Sequence, residues 1–310
     1  MKKLISIVIP AYNEEDVIGE LSKRLKAVMD KNIKYAFEVI IIENGSVDLS
    51  FKKLSDINKN DSRFNVLRLS RNFGCDGAIS AGLKYAKGDA AVIMNADLQD
   101  PPEMIPNFIE KWEEGYEIVY GMITKREGVS FIRKIISSMF YEIINRLTGG
   151  LFPKNVSDFR LTDKKVYQAI NEFAEKNRFL RGMIIWTGFS QTGIPFDRPA
   201  RFAGESKASF GEIWRTAWNG IYAFSYFPLK IVTVLGIFLS IGSFAVIILY
   251  ISLFLIFGRQ VPGFTTLITL ILFLFGMLFL ILGIIGEYLS RIYDEVKQRP
   301  NFIIKEKIGL

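Results

Sequence analysis

The chain has 310 residues, half of them hydrophobic, and a formal net charge of +7. It has one cysteine, Cys75, and no histidine. That excludes a disulfide framework, His-based triads and histidine metal sites, and leaves carboxylates as the candidate general bases. In chain order, residues 4–9 form a continuous apolar strand ending at Pro10, and Tyr12, Asn13 and Glu14 make the turn. A helix follows with Val17, Leu21, Leu25 and Val28 on one face; Asn13 is placed to cap it, with Asp16 in its first turn. Residues 39–42 are the second strand. It ends in the polar turn Glu43-Asn44-Gly45-Ser46, where glycine allows close backbone approach. A helix over 51–58 leads to a strand over 66–69, and Arg71-Asn72-Phe73-Gly74 opens a helix over 76–85.

The strand over 90–94 runs straight into Met94-Asn95-Ala96-Asp97-Leu98-Gln99-Asp100-Pro101-Pro102-Glu103. An apolar run bounded by a double proline reads as a buried strand. Asn95, Asp97, Gln99 and Asp100 then fall just past its carboxyl end, where open α/β sheets bind ligands. Oxygen-rich side chains at alternate positions suit a hard divalent cation that also touches phosphates. The same composition fits an acidic solvated loop, and spacing alone does not choose between them. Ile105, Phe108, Ile109 and Trp112 make a helix stripe, and residues 118–120 a further short strand. This alternation predicts an α/β domain with a parallel sheet covered on both faces. It contains no GxGxxG and no P-loop, so phosphates would be held by a metal and by Arg or Lys.

Farther on, Lys125, Arg126, Arg133 and Lys134 cluster before and within a helix expected over about 131–147. Asp158 and Arg160 flank Phe159, and a polar loop over 201–209 carries Arg201, Glu205, Ser206 and Lys207. Residues 210–224 have apolar side chains at helical spacing, with Trp214, Trp218 and Tyr222 alongside. Such a segment fits an interfacial helix on a bilayer, or a helix of a soluble core. Residues 231–258 and 260–286 carry no charge, and each exceeds the ~20 residues that span a bilayer. Lys and Arg lie on both flanks, with only Arg259 between, so the positive-inside rule puts both ends in the cytoplasm. The first residues enter a strand pattern directly, so no signal peptide is expected. A basic surface beside a membrane points to anionic lipids or phosphorylated substrates; no separate basic stripe points to nucleic acid.

Several short motifs recur in a fixed order: IVIPAYNE (7–14), RNFG (71–74), ADLQDPPE (96–103), DFRL (158–161), FLRG (179–182), GESK (204–207) and FSYFPLK (224–230), then two spans and a tail that ends its basic run in KQRP (297–300). In this order they resemble the polyprenyl-phosphate glycosyltransferases of glycosyltransferase family 2, with the GT-A fold, and most of all the bactoprenol glucosyltransferases; dolichol-phosphate mannose synthases are more distant. The resemblance implies a Rossmann-like GT-A domain over 1–205, a juxtamembrane interfacial helix over 206–228, a two-helix transmembrane hairpin over 229–289 and a cytoplasmic tail over 290–310. It implies inverting transfer of a hexose from a nucleotide sugar, UDP-glucose by the nearest likeness, to undecaprenyl or another polyprenyl phosphate at the cytoplasmic face of a bacterial plasma membrane. Pro10, Tyr12, Glu14 and Asn44 would line the nucleobase and ribose pocket. Asp97 and Gln99, with Asn95 beside them, would hold Mg²⁺ or Mn²⁺ against the donor diphosphate. Arg201 and Lys207 would close over that diphosphate; Arg126, Arg133 and Ser137 would receive the lipid phosphate. Asp158 would be the base, or the carboxylate that orients the acceptor; the bland reading is a salt bridge to Arg160. Membrane lipids, a flippase that moves the product outward and a homo-oligomer are partners implied by the same resemblance.

Four departures stand against the pattern. Asn95-Ala96-Asp97 replaces Asp-Ala-Asp, Asn44-Gly45-Ser46 replaces Asp-Gly-Ser, Ile123 stands where an Arg is common, and Ala208 where Tyr or Phe follows the lysine. The first two each remove a negative charge, although the Asn44 amide presents both a donor and an acceptor to a uracil. The alternatives are therefore an active transferase with altered donor or metal demands, and a catalytically degenerate membrane scaffold or partner subunit. A processive synthase lacks support: QxxRW is absent and two spans are few for a translocation channel.

Overall fold

The computed structural model describes residues 2–126, 145, 156–203, 220, 222, 224–258 and 263–310. The chain divides into two compact units, Met1–Gly220 with Arg299–Leu310, and Ile221–Gln298.

The first unit is built on an eight-stranded sheet. Runs of Ile and Val form β1 (Leu4–Ala11) and β2 (Ala36–Glu43) at its centre, where β-branched side chains fit a pleated surface buried on both sides. β3 (Phe64–Leu69) and β4 (Ala90–Ile93) flank them, and these four strands are parallel. The strand order β7-β5-β6-β4-β1-β2-β3-β8 is completed by β5 (Ile118–Arg126), β6 (Val156–Asp163), β7 (Gln191–Arg198) and β8 (Ile304–Ile308). β6 runs antiparallel between β4 and β5, and β8 antiparallel on β3. The sheet is therefore mixed, and the expected all-parallel sheet holds only for its centre.

Helices cover both faces. On one side, α1 (Ile18–Lys31) and α4 (Ile105–Glu113) lay Ile18, Leu21, Leu25, Phe108 and Ile109 on Ile5, Ile7 and Ile9, all almost fully buried. Each such side chain contributes about 1.5–3 kcal/mol by leaving water. On the other side, α3 (Gly74–Tyr85) comes so close that a Cβ on Gly82 would strike Val8 and Ile42. α2 (Ser50–Asn60) packs along β3 and against α1. After β6 come α5 (Lys164–Glu172), capped by the Asp163 side chain, and α6 (Leu180–Trp186). The last residues, expected as a tail, return to the sheet: Val66 pairs with Ile308 and Leu69 with Ile304, while Lys305, Glu306 and Lys307 stay exposed. β8 thus covers the backbone edge that β3 would otherwise present.

The second unit consists mainly of α7 (Phe227–Phe257) and α8 (Phe264–Lys297). Both are long and apolar enough to cross a membrane. Phe238, Ile241, Phe244, Phe273 and Phe279 are exposed along them, which a water-soluble surface rarely tolerates over such a length. Gln298, in the left-handed region at φ 47°, ends α8.

Candidate active site

Three loops follow the carboxyl ends of the parallel strands β1, β2 and β4. The first two are laced together. Asn13 sits at φ 52°; its backbone N–H donates to Ser46 Oγ at 3.0 Å and its Oδ1 accepts from the Val47 N–H at 3.0 Å. The Glu14 N–H donates to Ser50 Oγ at 2.9 Å. Asn13 therefore fastens one turn to the next and does not cap α1, which begins at Ile18 without a side-chain cap. Pro10, Tyr12 and Glu14 are half-buried beside this lacing.

The turn after β2 is held from below. Glu43 is fully buried; one carboxylate oxygen pairs with Arg68 Nε at 3.1 Å and the other accepts from the Ser46 N–H. Asn44 is 4% exposed. Its Nδ2 donates to Asn72 Oδ1 at 3.2 Å and the Gly74 carbonyl at 3.0 Å, and its Oδ1 accepts from the Phe73 N–H at 3.0 Å. The amide expected to face a nucleobase thus clamps the 71–74 loop. Gly45 lies at φ 75° with a virtual Cβ only 2.6 Å from the Arg71 carbonyl carbon, so no side chain fits where these two loops touch.

After β4 the chain turns through Leu98 at φ 59°, a left-handed conformation unusual for leucine and of the kind that collects at functional sites. This brings Asp97 and Asp100 into one loop. Asp97 Oδ1 accepts from the Gln99 N–H at 3.1 Å, and Oδ2 lies 3.1 Å from Arg201 Nη2. Asp100 Oδ2 accepts from both the backbone N–H of Asn95, at 3.0 Å, and its Nδ2, at 2.8 Å. The segment after β7 lies across this loop: Gln99 Nε2 donates to the Pro199 carbonyl at 3.3 Å, and the Phe202 N–H to the Asp97 carbonyl at 3.4 Å.

A second charged cluster contains Asp158. Arg181, in the first turn of α6, forks onto it, with Nε 2.8 Å from Oδ1 and Nη2 2.6 Å from Oδ2. Arg160 is not its main partner: this 2% exposed side chain donates to the carbonyls of Ser157 and Asp158 and stands 3.8 Å from Asp158 Oδ1. Loss of water around Asp158 would raise its pKa, but the charge and hydrogen bonds of Arg181, then the charges of Arg160 and Arg198, outweigh it and hold the carboxyl down at about 2. Asp76, in the first turn of α3, behaves oppositely: burial, then the charge of Asp158, pushes it up to about 7. Sequence reasoning assigned no role to Arg181 or Asp76. The FLRG motif was the one signal for Arg181.

Of the other expected residues, Arg133, Ser137 and Lys207 lie outside the described residues, as does Ala208. Arg126 is the last residue of β5, in register with Arg198 of β7. Ile123 is 5% exposed and belongs to the hydrophobic core with Phe196, so the position is an apolar core site.

Among the described residues no three carboxylates or thiols are set to enclose a metal. The donor set still fits one that is shared with a ligand: the carboxylates of Asp97 and Asp100 and the amide of Gln99 line one loop, and one oxygen of fully buried Asp100 has no hydrogen-bond partner. A hard cation bound through one or two carboxylates takes its remaining oxygens from phosphates and water.

A mixed sheet with an acidic loop at the end of β4 and arginines beside it is an arrangement for holding a ligand at the carboxyl edge of the sheet. The family model described as glycosyl transferase family 2 matches residues 6–170, and the chain belongs to that family. It is 42% identical over 99% of its length to an uncharacterized glycosyltransferase of Synechocystis, of which it covers 96%. It is 36% identical to the SfII prophage-derived bactoprenol glucosyl transferase of Shigella flexneri, with 97% of each chain covered. Among solved structures, glucosyl-3-phosphoglycerate synthase from Mycobacterium tuberculosis, in complex with Mn²⁺, UDP and glucosyl-3-phosphoglycerate, shares the fold at 16% identity and a TM-score of 0.50, over 71% of this chain and 78% of that one.

Proposed function

We propose that this glycosyltransferase moves a hexose, glucose from UDP-glucose, onto the phosphate of undecaprenyl phosphate at the cytoplasmic face of the bacterial plasma membrane. The observation that carries the reading is the likeness, over nearly the whole chain including both apolar helices, to a bactoprenol glucosyl transferase. An oxygen of the lipid phosphate attacks the anomeric carbon as the bond to UDP breaks, and the configuration inverts. A phosphate monoester is largely dianionic at pH 7, so the attacking oxygen needs placing more than deprotonating. That agrees with Asp158, whose low pKa makes it a poor proton acceptor. In this reading Asp158, held by Arg181, orients the acceptor through charge.

Asp97, with Gln99, would hold Mg²⁺ or Mn²⁺. A divalent cation there neutralises charge building on the leaving diphosphate. Arg201, now on Asp97, and Lys207 would serve the same diphosphate, and Pro10, Tyr12 and Glu14 the nucleoside. Asn44 would support that pocket by holding the 71–74 loop. Arg126, Arg133 and Ser137 would take the lipid phosphate, where a guanidinium fork suits the oxygens. Both termini would lie in the cytoplasm, the protein would act as an oligomer, and its lipid-linked product would pass to a flippase.

Purified protein given Mn²⁺, radiolabelled UDP-glucose and undecaprenyl phosphate should yield label that extracts into organic solvent. Absence of a lipid-linked product with every common UDP- and GDP-sugar would replace this reading with a degenerate scaffold.

A further inference from the structure

Asn95 stands where the resembling family carries the first acid of its metal motif, but its amide is turned to another task. Both its Nδ2 and its backbone N–H donate to one oxygen of Asp100. Asp100 is 0% exposed. Its other oxygen, Oδ1, has no hydrogen-bond partner among the described residues, and neither has Nε of Arg198. The two side chains face each other with Arg198 Nη2 3.8 Å from Oδ1, beyond hydrogen-bond range. A buried carboxylate oxygen without a donor is costly, and a loop that merely needed anchoring would not leave it so. Asn95 accounts for Oδ2, whereas Oδ1 has only the charge of Arg198 at 3.8 Å and no hydrogen-bond donor among the described residues.

We propose that Asp100 Oδ1 is the second carboxylate contact of the divalent cation held by Asp97, and that Asn95 is a positioning residue for Asp100 and not itself a ligand. The inference rests on the reading of this loop as the donor's cation site. The left-handed turn at Leu98 places both acids in the same loop, and a cation between them takes charge that each now shares with an arginine: Asp97 with Arg201, Asp100 with Arg198. Hydrogen-bonding the far oxygen of a ligating carboxylate is the usual way such a ligand is aimed. The amide at position 95 is suited to it, because it donates. A carboxylate there would set oxygen against oxygen where the amide now donates at 2.8 Å, and Asp100 would lose its side-chain donor.

The test is Mn²⁺ binding, followed by electron paramagnetic resonance, on the full-length protein in detergent with saturating UDP and no acceptor. Asp100→Asn should weaken Mn²⁺ at least tenfold, and Asn95→Ala about tenfold, the scale for losing an outer partner of a ligand. Asn95→Asp should leave it unchanged or weaker. UDP binding without metal and the thermal midpoint show whether each variant is folded. If Asp100→Asn does not fold, Asn95→Ala decides, since it keeps the Asp100 charge and removes only its holder. Wild-type affinity in Asp100→Asn or Asn95→Ala, or tighter binding in Asn95→Asp, overturns the assignment. Failure of the wild-type protein to bind Mn²⁺ with UDP present would instead overturn the cation-site reading itself.

Discussion

Replacing Arg181 by methionine keeps a long, unbranched stem and removes the fork on Asp158. Two charge-assisted hydrogen bonds of 2.8 and 2.6 Å are lost. Breaking a buried ion pair costs about 3–5 kcal/mol, but the Asp158 side chain is 46% exposed. Solvent screening therefore brings the expected loss to about 1–3 kcal/mol. The pH dependence identifies the cause. Asp158 is held near 2 in the folded protein, below the ~3.9 of an unfolded aspartate. A carboxyl depressed on folding contributes stability above the unfolded value and loses it as pH falls through the folded one. Removing an adjacent cation raises such a pKa by about one to three units, which takes away most of that contribution. The gap between wild type and Arg181→Met should thus be full above about pH 5 and shrink as pH drops toward 2. Urea unfolding of the detergent-solubilised protein at pH 7, 5 and 3.5 measures it. A gap that is the same at pH 3.5 as at pH 7 would mean that Arg181 acts through packing of α6 and not through the Asp158 charge.

Two further outcomes follow from the same geometry. Asp76 titrates near 7 when folded, so folding favours its protonated form; its contribution is full below the unfolded value and is lost as pH rises to 7. Asp76→Asn should match wild type in stability near pH 4 and exceed it at pH 8 in a thermal-unfolding series, and parallel curves would refute the shift. Ile123→Arg, which restores the residue common in the family, should destabilise the protein by roughly 3 kcal/mol or more, because it forces a charge into a core position 5% exposed. A variant with an unchanged unfolding midpoint would show that this end of β5 opens easily.

The central strands were legible because Ile- and Val-rich runs buried on both faces need no partner information to be recognised. The antiparallel course of β6 was not, since a run such as Val156–Asp163 carries no sign of direction. β8 was hidden for a different reason: as an edge strand it buries only parts of Ile304 and Ile308, and its three central residues are charged. At the site, Asp97 could be read from its place after an apolar strand. The partners of the acids could not. Arg181 lies 23 residues from Asp158, and Arg201 reaches Asp97 from beyond β7. The hydrogen bond from Asn95 to Asp100 depends on the backbone of Leu98, which leucine gives no reason to expect.

The departures from the family pattern weighed toward a degenerate protein when seen as lost charges. Their surroundings weigh the other way. Asn44 has its amide filled by three hydrogen bonds, Asn95 is bonded to Asp100, and Ile123 completes a core. None leaves a hole. What stays costly is elsewhere: Asp100 and Arg198 keep buried polar atoms without partners, beside the paired Asp97 and Arg201. Burying charges so imperfectly matched lowers stability, and apolar replacements of similar volume relieve the cost. A scaffold with no ligand to place here would gain by such a replacement. Strain and unpaired charge at the end of β4, where the other buried side chains among the described residues are satisfied, are what a binding site carries when its ligand supplies the missing partners.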